Sequence, residues 1–520
     1  MGPVRGFRNL ARLVGIARTL ARNDALFALE TLKATPRVAA VAGVMWRPKR
    51  AAAGVRPGQR LARALQELGP SFIKFGQTLA TRSDLLGEEI AADLSELQDR
   101  LPPFSGAAAK ETVAAELGQP LEALFSSFDD QAVAAASIAQ VHYAVTAQGR
   151  EVAVKVLRPG IEKAFARDLD LFFWVAETIE RLQPAMRRLR PTDVVKTFAD
   201  TVRAEMDLRL EAAAASELAQ NFAGDPGFVI PKVDWTRVSK RVLTLERVTG
   251  IRIDDRAALI AAGHDPDLIL AKSANIIFTQ VFRDGFFHAD LHPGNLSVDA
   301  QGRIVAVDFG IMGRLDRKTR EYLADMLLGF LNGDYARVAD VHFRAGYVPA
   351  HQSRDAFTQA CRAIGEPILG LPLQEISIAR LLAQLFQVTE TFEMETQPQL
   401  LLLQKTLLMA EGVGRRLNDR VNMWTLARPL IEEWMRDNRS PEARLRNLLA
   451  DLLAGLERLP ALARNLEAMA GMAAEGGVKL HPETLRQLAA AHGRQTPIWP
   501  LWLAVTALAA ALALALAGAI

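Results

Sequence analysis

One cysteine, Cys361, in a chain of 520 residues leaves no partner for an intramolecular disulfide and no second thiolate for a metal cage. The fold is therefore expected to need no oxidising compartment, and a reducing cytoplasm fits. An excess of charge of one sign is also missing. Lys and Arg number 62 against 59 Asp and Glu, a net charge of +3, which is too balanced for a dedicated nucleic-acid binder while leaving room for local basic patches. With 50% apolar and 23% charged residues, the composition excludes a disordered polyelectrolyte, a collagen-like chain and a disulfide-stapled miniprotein. No internal repeat is evident, and the alanine runs read as helix filler. A chain of this length is expected to hold about two to four folded units.

Acidic residues are absent before Asp24, whereas Arg5, Arg8, Arg12, Arg18 and Arg22 punctuate the first segment. Phe7, Leu10, Val14, Ala17 and Leu20 recur at helical spacing, so this basic segment can lie on an anionic lipid surface, or be a frayed arm or a helix docked on the protein; the readings stay open. No continuous apolar run follows, so it is not a secretory signal, and Met1-Gly2 lacks the downstream Ser or Thr of a myristoylation site. Charge is absent again from Gln495 to Ile520. The stretch Trp499 to Ile520, about 22 residues at ~1.5 Å each, reaches roughly 33 Å, enough for one crossing of a bilayer core of about 30 Å. Trp499 and Trp502 stand where an interfacial belt belongs, and Arg486 and Arg494 on the domain side orient the body to the cytoplasm. A hydrophobic helix buried in an oligomer is the alternative.

Between the ends, residues 24–130 read as helices broken at Pro102-Pro103 and Gly118-Gln119-Pro120. Ile138 to Val145 and the alternating Glu151 to Leu157, joined through Gln148-Gly149-Arg150, predict a hairpin. Helices are expected over 161–182 and 191–221, strands at 228–231, 241–246 and 303–307, and a chiefly helical chain beyond Asp267. The fold class is α+β, a sheet-bearing lobe followed by a helical one.

Val152-Ala153-Val154-Lys155 sets a lysine inside an apolar strand, where an unpaired ammonium is costly unless a carboxylate or phosphate meets it; alone, the pattern also fits a lysine snorkelling from an edge strand. In Phe287-His288-Ala289-Asp290-Leu291-His292-Pro293-Gly294-Asn295, Asp290 and Asn295 bracket a Pro-Gly loop at the D-x-x-x-x-N spacing of a kinase catalytic loop. There the aspartate handles the attacking hydroxyl and the asparagine oxygen coordinates a metal. His288, Asp290 and His292 also spell a zinc site, but Pro293-Gly294 breaks the helix that such ligands need. Asp308-Phe309-Gly310 follows the apolar strand Ile304 to Val307, so a hard oxygen ligand suited to Mg²⁺ emerges at a strand end. Each signal is weak, but their order is that of phosphoryl transfer. The helix expected around Arg203 to Ala213 places Asp207 and Glu211 on one face and Glu205 roughly 120° away. Glu211 is the candidate partner of Lys155, leaving Asp207 and Glu205 for a second cation or a metal, with a solvated acidic stripe as the alternative for Glu205. Lys74, Gln77, Thr78 and Thr81 form a polar stripe among bulky apolar residues; residue chemistry by itself favours an exposed stripe.

Together these residues resemble the ABC1, ADCK or UbiB family of atypical protein-kinase-like proteins over roughly residues 60–330. The family marks are K-x-G-Q at Lys74-Phe75-Gly76-Gln77, the alanine-rich loop Ala134-Ala135-Ala136-Ser137-Ile138-Ala139-Gln140-Val141-His142, and E-x-D at Glu205 and Asp207. The resemblance implies a two-lobed kinase-like fold. Its expected parts are a basic helical arm (1–59), a K-x-G-Q helical extension (60–130), an N-lobe with a helical insert (131–250), a helical C-lobe (251–440), further helices (441–496) and a transmembrane anchor (497–520). It implies ATP and Mg²⁺ as cofactors. Asp290, Lys155 and Lys74 would be catalytic, Asn295 and Asp308 would hold metal, and the whole alanine-rich loop with Lys155, Glu211, Glu205, Asp207 and Glu246 would form the nucleotide site. Lys74 would then meet the E-x-D carboxylates and block the surface that a protein substrate needs, which reverses the exposed reading. Ala289 stands where many kinases have arginine, and Ala139 where glycine is frequent. No A-P-E follows Asp308-Phe309-Gly310, and Ile311 to Thr319 offers only Thr319 as a phosphate acceptor. Bacterial members support ubiquinone biosynthesis, so the resemblance implies a membrane-anchored ATPase at the bacterial inner membrane with its body in the cytoplasm. The implied partners are membrane lipids, polyprenyl quinone intermediates and quinone-biosynthesis enzymes, with room for a homodimer. A lipid or protein kinase, or a nucleotide-gated scaffold, are the competing functions.

Overall fold

The computed structural model describes residues 3–26, 55–80, 88–95, 101–182, 191–367, 388–389, 391–394, 397–418 and 429–436. The chain divides after Arg436. The unit Asp437–Ile520, with the expected segment 441–496 and the apolar span 497–520, lies outside the described residues. Among those that are described, no helix is long and apolar enough to cross a membrane.

The predicted hairpin is present as β3 (Ala139–Thr146) and β4 (Glu151–Leu157), flanked by β1 (Phe125–Phe128), β2 (Ala134–Ala135) and β6 (Val242–Glu246) in one antiparallel sheet. Strand alternation gives this sheet two faces. Val152, Val154 and Val156 are buried in one core with Val113, Leu124 and Phe125, each contributing roughly 2 kcal/mol by burial. Lys155 points the other way, level with Val141 on β3 and Leu243 on β6. The helical reading of 24–130 breaks down at β1, where Phe125 packs inward and Ser126 Oγ donates to the Val145 and Thr146 carbonyls, so a short edge strand is favoured.

Ahead of the sheet come α1 (Pro3–Arg22), α2 (Pro57–Leu68), α3 (Pro70–Ala80), α4 (Glu88–Ser95) and α5 (Gly106–Leu117). The basic helix α1 docks on the protein: Arg8 and Asn9 bond Asp170, and Arg12 pairs with Asp168. Both aspartates lie on α6 (Ile161–Leu182), which spans the predicted bounds. The single helix expected over 191–221 is two, α7 (Pro191–Glu205) and α8 (Leu208–Asn221). Asp207 breaks it: in extended backbone, its carboxylate accepts from Arg209 N as the N-cap of α8. Glu205 and Asp207 therefore do not share a helix, and the angular argument built on one helix fails.

The following lobe is helical around short strands. β5 (Phe228–Val229), β10 (Ile304–Ala306), β9 (Leu296–Val298) and β7 (Ile251–Arg252) form one sheet in that order. β8 (Phe286–His288) pairs with β11 (Met312–Arg314). Gly313 has no alternative there, since a Cβ would fall 2.2 Å from the Phe287 ring. The helices are α9 (Arg256–Ala261), α10 (Pro266–Phe278), α11 (Arg317–Leu331), α12 (Tyr335–Arg344), α13 (Arg354–Gly365) and α14 (Pro398–Leu417). Asp255, Asp265, Asp316, Asp334 and Ser353 cap α9 to α13 through their side chains. Phe287, Ala289, Leu291 and Phe309 bury into the main core, which anchors both functional loops to it.

Candidate active site

Lys155 and Glu211 meet although 56 positions separate them: Nζ lies 2.8 and 3.0 Å from the two Glu211 oxygens. The same ammonium lies 2.9 Å from Asp308 Oδ1. Asp308 is reached because β10 ends at Ala306 and the chain turns with Asp308 at φ 64, a left-handed conformation that aspartate tolerates. Gly310 keeps the turn tight, since a Cβ there would lie 3.3 Å from Asp308 Oδ1 and 3.9 Å from Glu211 Oε2. Glu211 is 6% exposed and Asp308 48%, so one carboxylate is sealed behind the lysine and the other opens to the cleft. Burial alone would lower the Lys155 pKa, but Asp308 and Glu211 more than offset it and raise the group above its ordinary range. Burial pushes Glu211 up to about 7 against the pull of Lys155. The surrounding protein opposes ionisation of Asp308, yet Lys155, with smaller help from Lys74, holds it well below the usual carboxylate range. Asp308 thus keeps its charge and an oxygen open to the cleft beside Lys155, which suits a divalent cation.

Lys74, on α3, pairs with Glu205 at 2.9 Å, and both side chains are only 12% exposed. Of the stripe that residue chemistry would expose, Thr81 lies outside the described residues and Lys74 is instead drawn into a largely buried ion pair. Aromatic packing fixes it: Phe75 stacks on Phe172 with centroids 4.8 Å apart and meets Phe198 edge-on at 5.5 Å, while Phe72 meets Phe172 at 5.2 Å. Phe172 and Phe198 belong to α6 and α7, so the helical insert carries α3. Asp207 is occupied otherwise, bonded to Arg209 Nε and Nη2 at 2.8 and 2.6 Å.

The loop after β8 is held by backbone bonds. Asp290 N donates to His288 Nδ1 at 3.2 Å, and His288 Nε2 donates to Val307 O at 3.4 Å. Both His288 nitrogens are engaged and burial lowers its pKa, so it is a neutral brace; the zinc spelling finds no support there. His292 Nδ1 accepts from Gly294 N at 3.0 Å and caps the turn. Asn295 Nδ2 donates to Asp290 O at 3.0 Å, leaving Oδ1 as a hard oxygen able to take a cation. Val307 N donates to Asn295 O at 2.9 Å, which sets Asn295 beside the approach to Asp308. This donor set fits Mg²⁺ with nucleotide phosphates. Thr319, the one hydroxyl from Ile311 to Thr319, is buried and donates to Asp316 Oδ2 within the α11 cap, in keeping with the expectation that there is no activation-loop control.

One group was not singled out in the sequence. Lys405, on α14, lies 2.9 Å from Asp290 Oδ1. Its only trace is a polar interruption, Gln404-Lys405-Thr406, in a leucine-rich run.

The alanine-rich loop divides by face. Ala134 and Ala135 form β2 against β3, Ala136 N donates to Ala139 O at 2.8 Å, and Arg158 bonds Ala136 O and takes its own N–H to Ile138 O. Ser137 Oγ is buried with no partner among the described residues. Ala139 and Val141 alternate onto the Lys155 face. Gln140 and His142 lie on the opposite face: the Gln140 amide exchanges bonds of 2.9 and 3.1 Å with Phe104 N and O and donates to His142 Nε2 at 2.8 Å, while His142 Nδ1 donates to Asp129 O at 2.8 Å. Those two residues stitch the helical extension to the sheet, which corrects their assignment to the nucleotide site. Glu246, at the end of β6, is exposed and accepts from Lys232 N at 3.3 Å.

Residues 96–342 match the ABC1 atypical kinase-like domain, and residues 361–422 match the UbiB helical domain. A protein of Marinobacter nauticus named probable protein kinase UbiB is 45% identical over 78% of this chain and 74% of its own. A protein of the same name from Azotobacter vinelandii is 45% identical over 81% and 78%, and one from Xanthomonas axonopodis pv. citri is 46% identical over 75% and 72%. The fold is similar to that of a Mycobacterium tuberculosis protein solved with erythromycin, with a TM-score of 0.51 and 24% identity over 78% of this chain and 98% of that one.

Proposed function

From the premise that the chain belongs to the UbiB family of ABC1 atypical kinase-like proteins, we propose that it is a Mg²⁺-dependent ATPase supporting ubiquinone biosynthesis. It would be held at the bacterial inner membrane by the span 497–520, with its body in the cytoplasm and polyprenyl intermediates passed to quinone-biosynthesis enzymes. The convergence of Lys155, Glu211 and Asp308 carries the nucleotide reading. Bound ATP supplies a transferable phosphoryl group with little covalent work left to the protein. Lys155 would hold phosphate oxygens, oriented by Glu211. Asp308 and the Asn295 amide oxygen would hold the cation. Asp290 would orient the attacking water or hydroxyl and take its proton at the carboxylate.

Water is favoured over a protein hydroxyl by the Lys74–Glu205 pair, which closes part of the cleft on the side of the E-x-D carboxylate; a protein substrate would have to displace α3 from its phenylalanine cluster. The kinase reading is supported by the relatives' name. One comparison separates the readings. Purified wild type should release free phosphate without phosphorylated lipid or protein by mass spectrometry, and Asp290→Asn should lower release by about 10²- to 10⁴-fold. Cells carrying Asp290→Asn should accumulate an early prenylated quinone precursor. Phospholipid or phosphoprotein products would favour the kinase, a normal quinone profile despite lost turnover the scaffold, and unchanged release would remove Asp290 from the chemistry.

A further inference from the structure

We propose that Lys405 is a positioning residue of the phosphoryl-transfer site, contributed by the UbiB helical domain from outside the kinase-like region. It holds the Asp290 carboxylate toward the attacking water. This rests on the reading of the cleft as a nucleotide site. The main chain of Asp290 is pinned at both ends, by His288 Nδ1 on its N–H and by Asn295 Nδ2 and His292 N on its carbonyl. Its carboxylate is held differently, since among the described residues Lys405 Nζ alone bonds it, at Oδ1. The loop cannot provide a cation itself, because His288 to Asn295 contains no Lys or Arg and the His292 ring is bonded to Gly294 N. A charge-assisted bond on Oδ1 fixes the rotation of the carboxylate and leaves Oδ2 to accept a proton.

The helix delivering Lys405 is firmly placed. Leu403, Thr406, Ala410, Val413 and Leu417 are buried at alternating spacings of three and four along α14. Its C-terminal end is tied to the lobe by Arg256 Nε on Leu417 O at 2.9 Å and by Asn418 Nδ2 on Asp267 Oδ1 at 2.7 Å. The two side chains of the pair are 37% and 31% exposed, so as an ion pair it adds little stability; its effect is on orientation. Through Lys405, any displacement of α14 changes the geometry of Asp290.

The test uses the purified full-length chain with two variants and two readouts. Lys405→Met should lower kcat by about 10- to 100-fold with KM for Mg-ATP within about threefold, and Lys405→Arg should recover most of the loss. Independently of turnover, acetylation of Lys405 by an amine-reactive ester, followed by peptide mass spectrometry on nucleotide-free protein, should rise severalfold in Asp290→Asn. Labelling of exposed Lys163 serves as the internal standard. Wild-type kcat in Lys405→Met, a change confined to KM, or Lys405 labelling indifferent to Asp290→Asn would overturn the proposal. If Lys405→Met does not fold, the labelling comparison decides. Absence of turnover in the wild type would overturn the nucleotide reading, while the labelling result would still judge the pair.

Discussion

Gln140 uses its amide on the Phe104 main chain and on His142, and this decides between two readings of one motif. As a string, the alanine-rich run looks like one nucleotide loop; on a strand, alternate residues face opposite ways, and every second residue belongs to the other core. Gln140→Ala should cost about 2–4 kcal/mol in urea denaturation, because it leaves the Phe104 N–H and C=O unpaired. KM for Mg-ATP should stay within about twofold. A raised KM at unchanged stability would return Gln140 to the site. Lys155, Asp290, Asn295 and Asp308 were legible because their chemistry restricts the residue types and their order. The partnership of Lys155 with Glu211 was legible only as a candidate, since nothing in the spacing fixes it. Lys405 was not legible as a site residue. A lysine on an amphipathic helix is usually solvated, and its partner lies 115 positions earlier.

At the scale of elements, length decided what could be read. The hairpin β3–β4 and the helix α6 are long enough to show their period, whereas β8, β9 and β11 have three residues each and carry no period at all. The break between α7 and α8 was marked by Asp207, a capping residue read as a site carboxylate. The same uncertainty attached to α3, whose polar stripe could face solvent or protein; only its phenylalanines, packed on α6 and α7, settle which. Phe75→Ala should therefore cost about 2–4 kcal/mol and loosen α3 selectively. Hydrogen exchange should accelerate over Pro70–Ala80 while the β3–β4 amides keep their protection. Equal acceleration in both would show that α3 and the sheet open as one unit.

For the molecule as a whole, buried titratable groups set the pH dependence, and they oppose one another. Burial lowers the pKa of His142, His288 and His342, the last with Nδ1 donating to Val338 O at 2.8 Å. Below their ordinary value of 6.5 the unfolded chain takes up protons that the folded chain refuses, so each contributes stability that is present above that pH and lost as pH falls. Glu211 acts in reverse. Raised by burial from 4.5 to about 7, it is protonated in the folded state and ionised in the unfolded one across that window, so its share of stability grows as pH falls. Burial raises Glu411 as well, against Arg415. The carboxylates of Asp234, Asp254, Asp299 and Asp316, all lowered by their partners, enter only below 3.8. Between pH 5 and 6 the wild type should thus lose stability more gently than three histidines alone would dictate. His342→Gln should flatten that loss, by at most one proton or about 1.4 kcal/mol per pH unit, and Glu211→Gln should steepen it. Urea midpoints at half-unit steps in pH measure both slopes, and parallel curves for the two variants and the wild type would place the acid sensitivity of the fold in other groups.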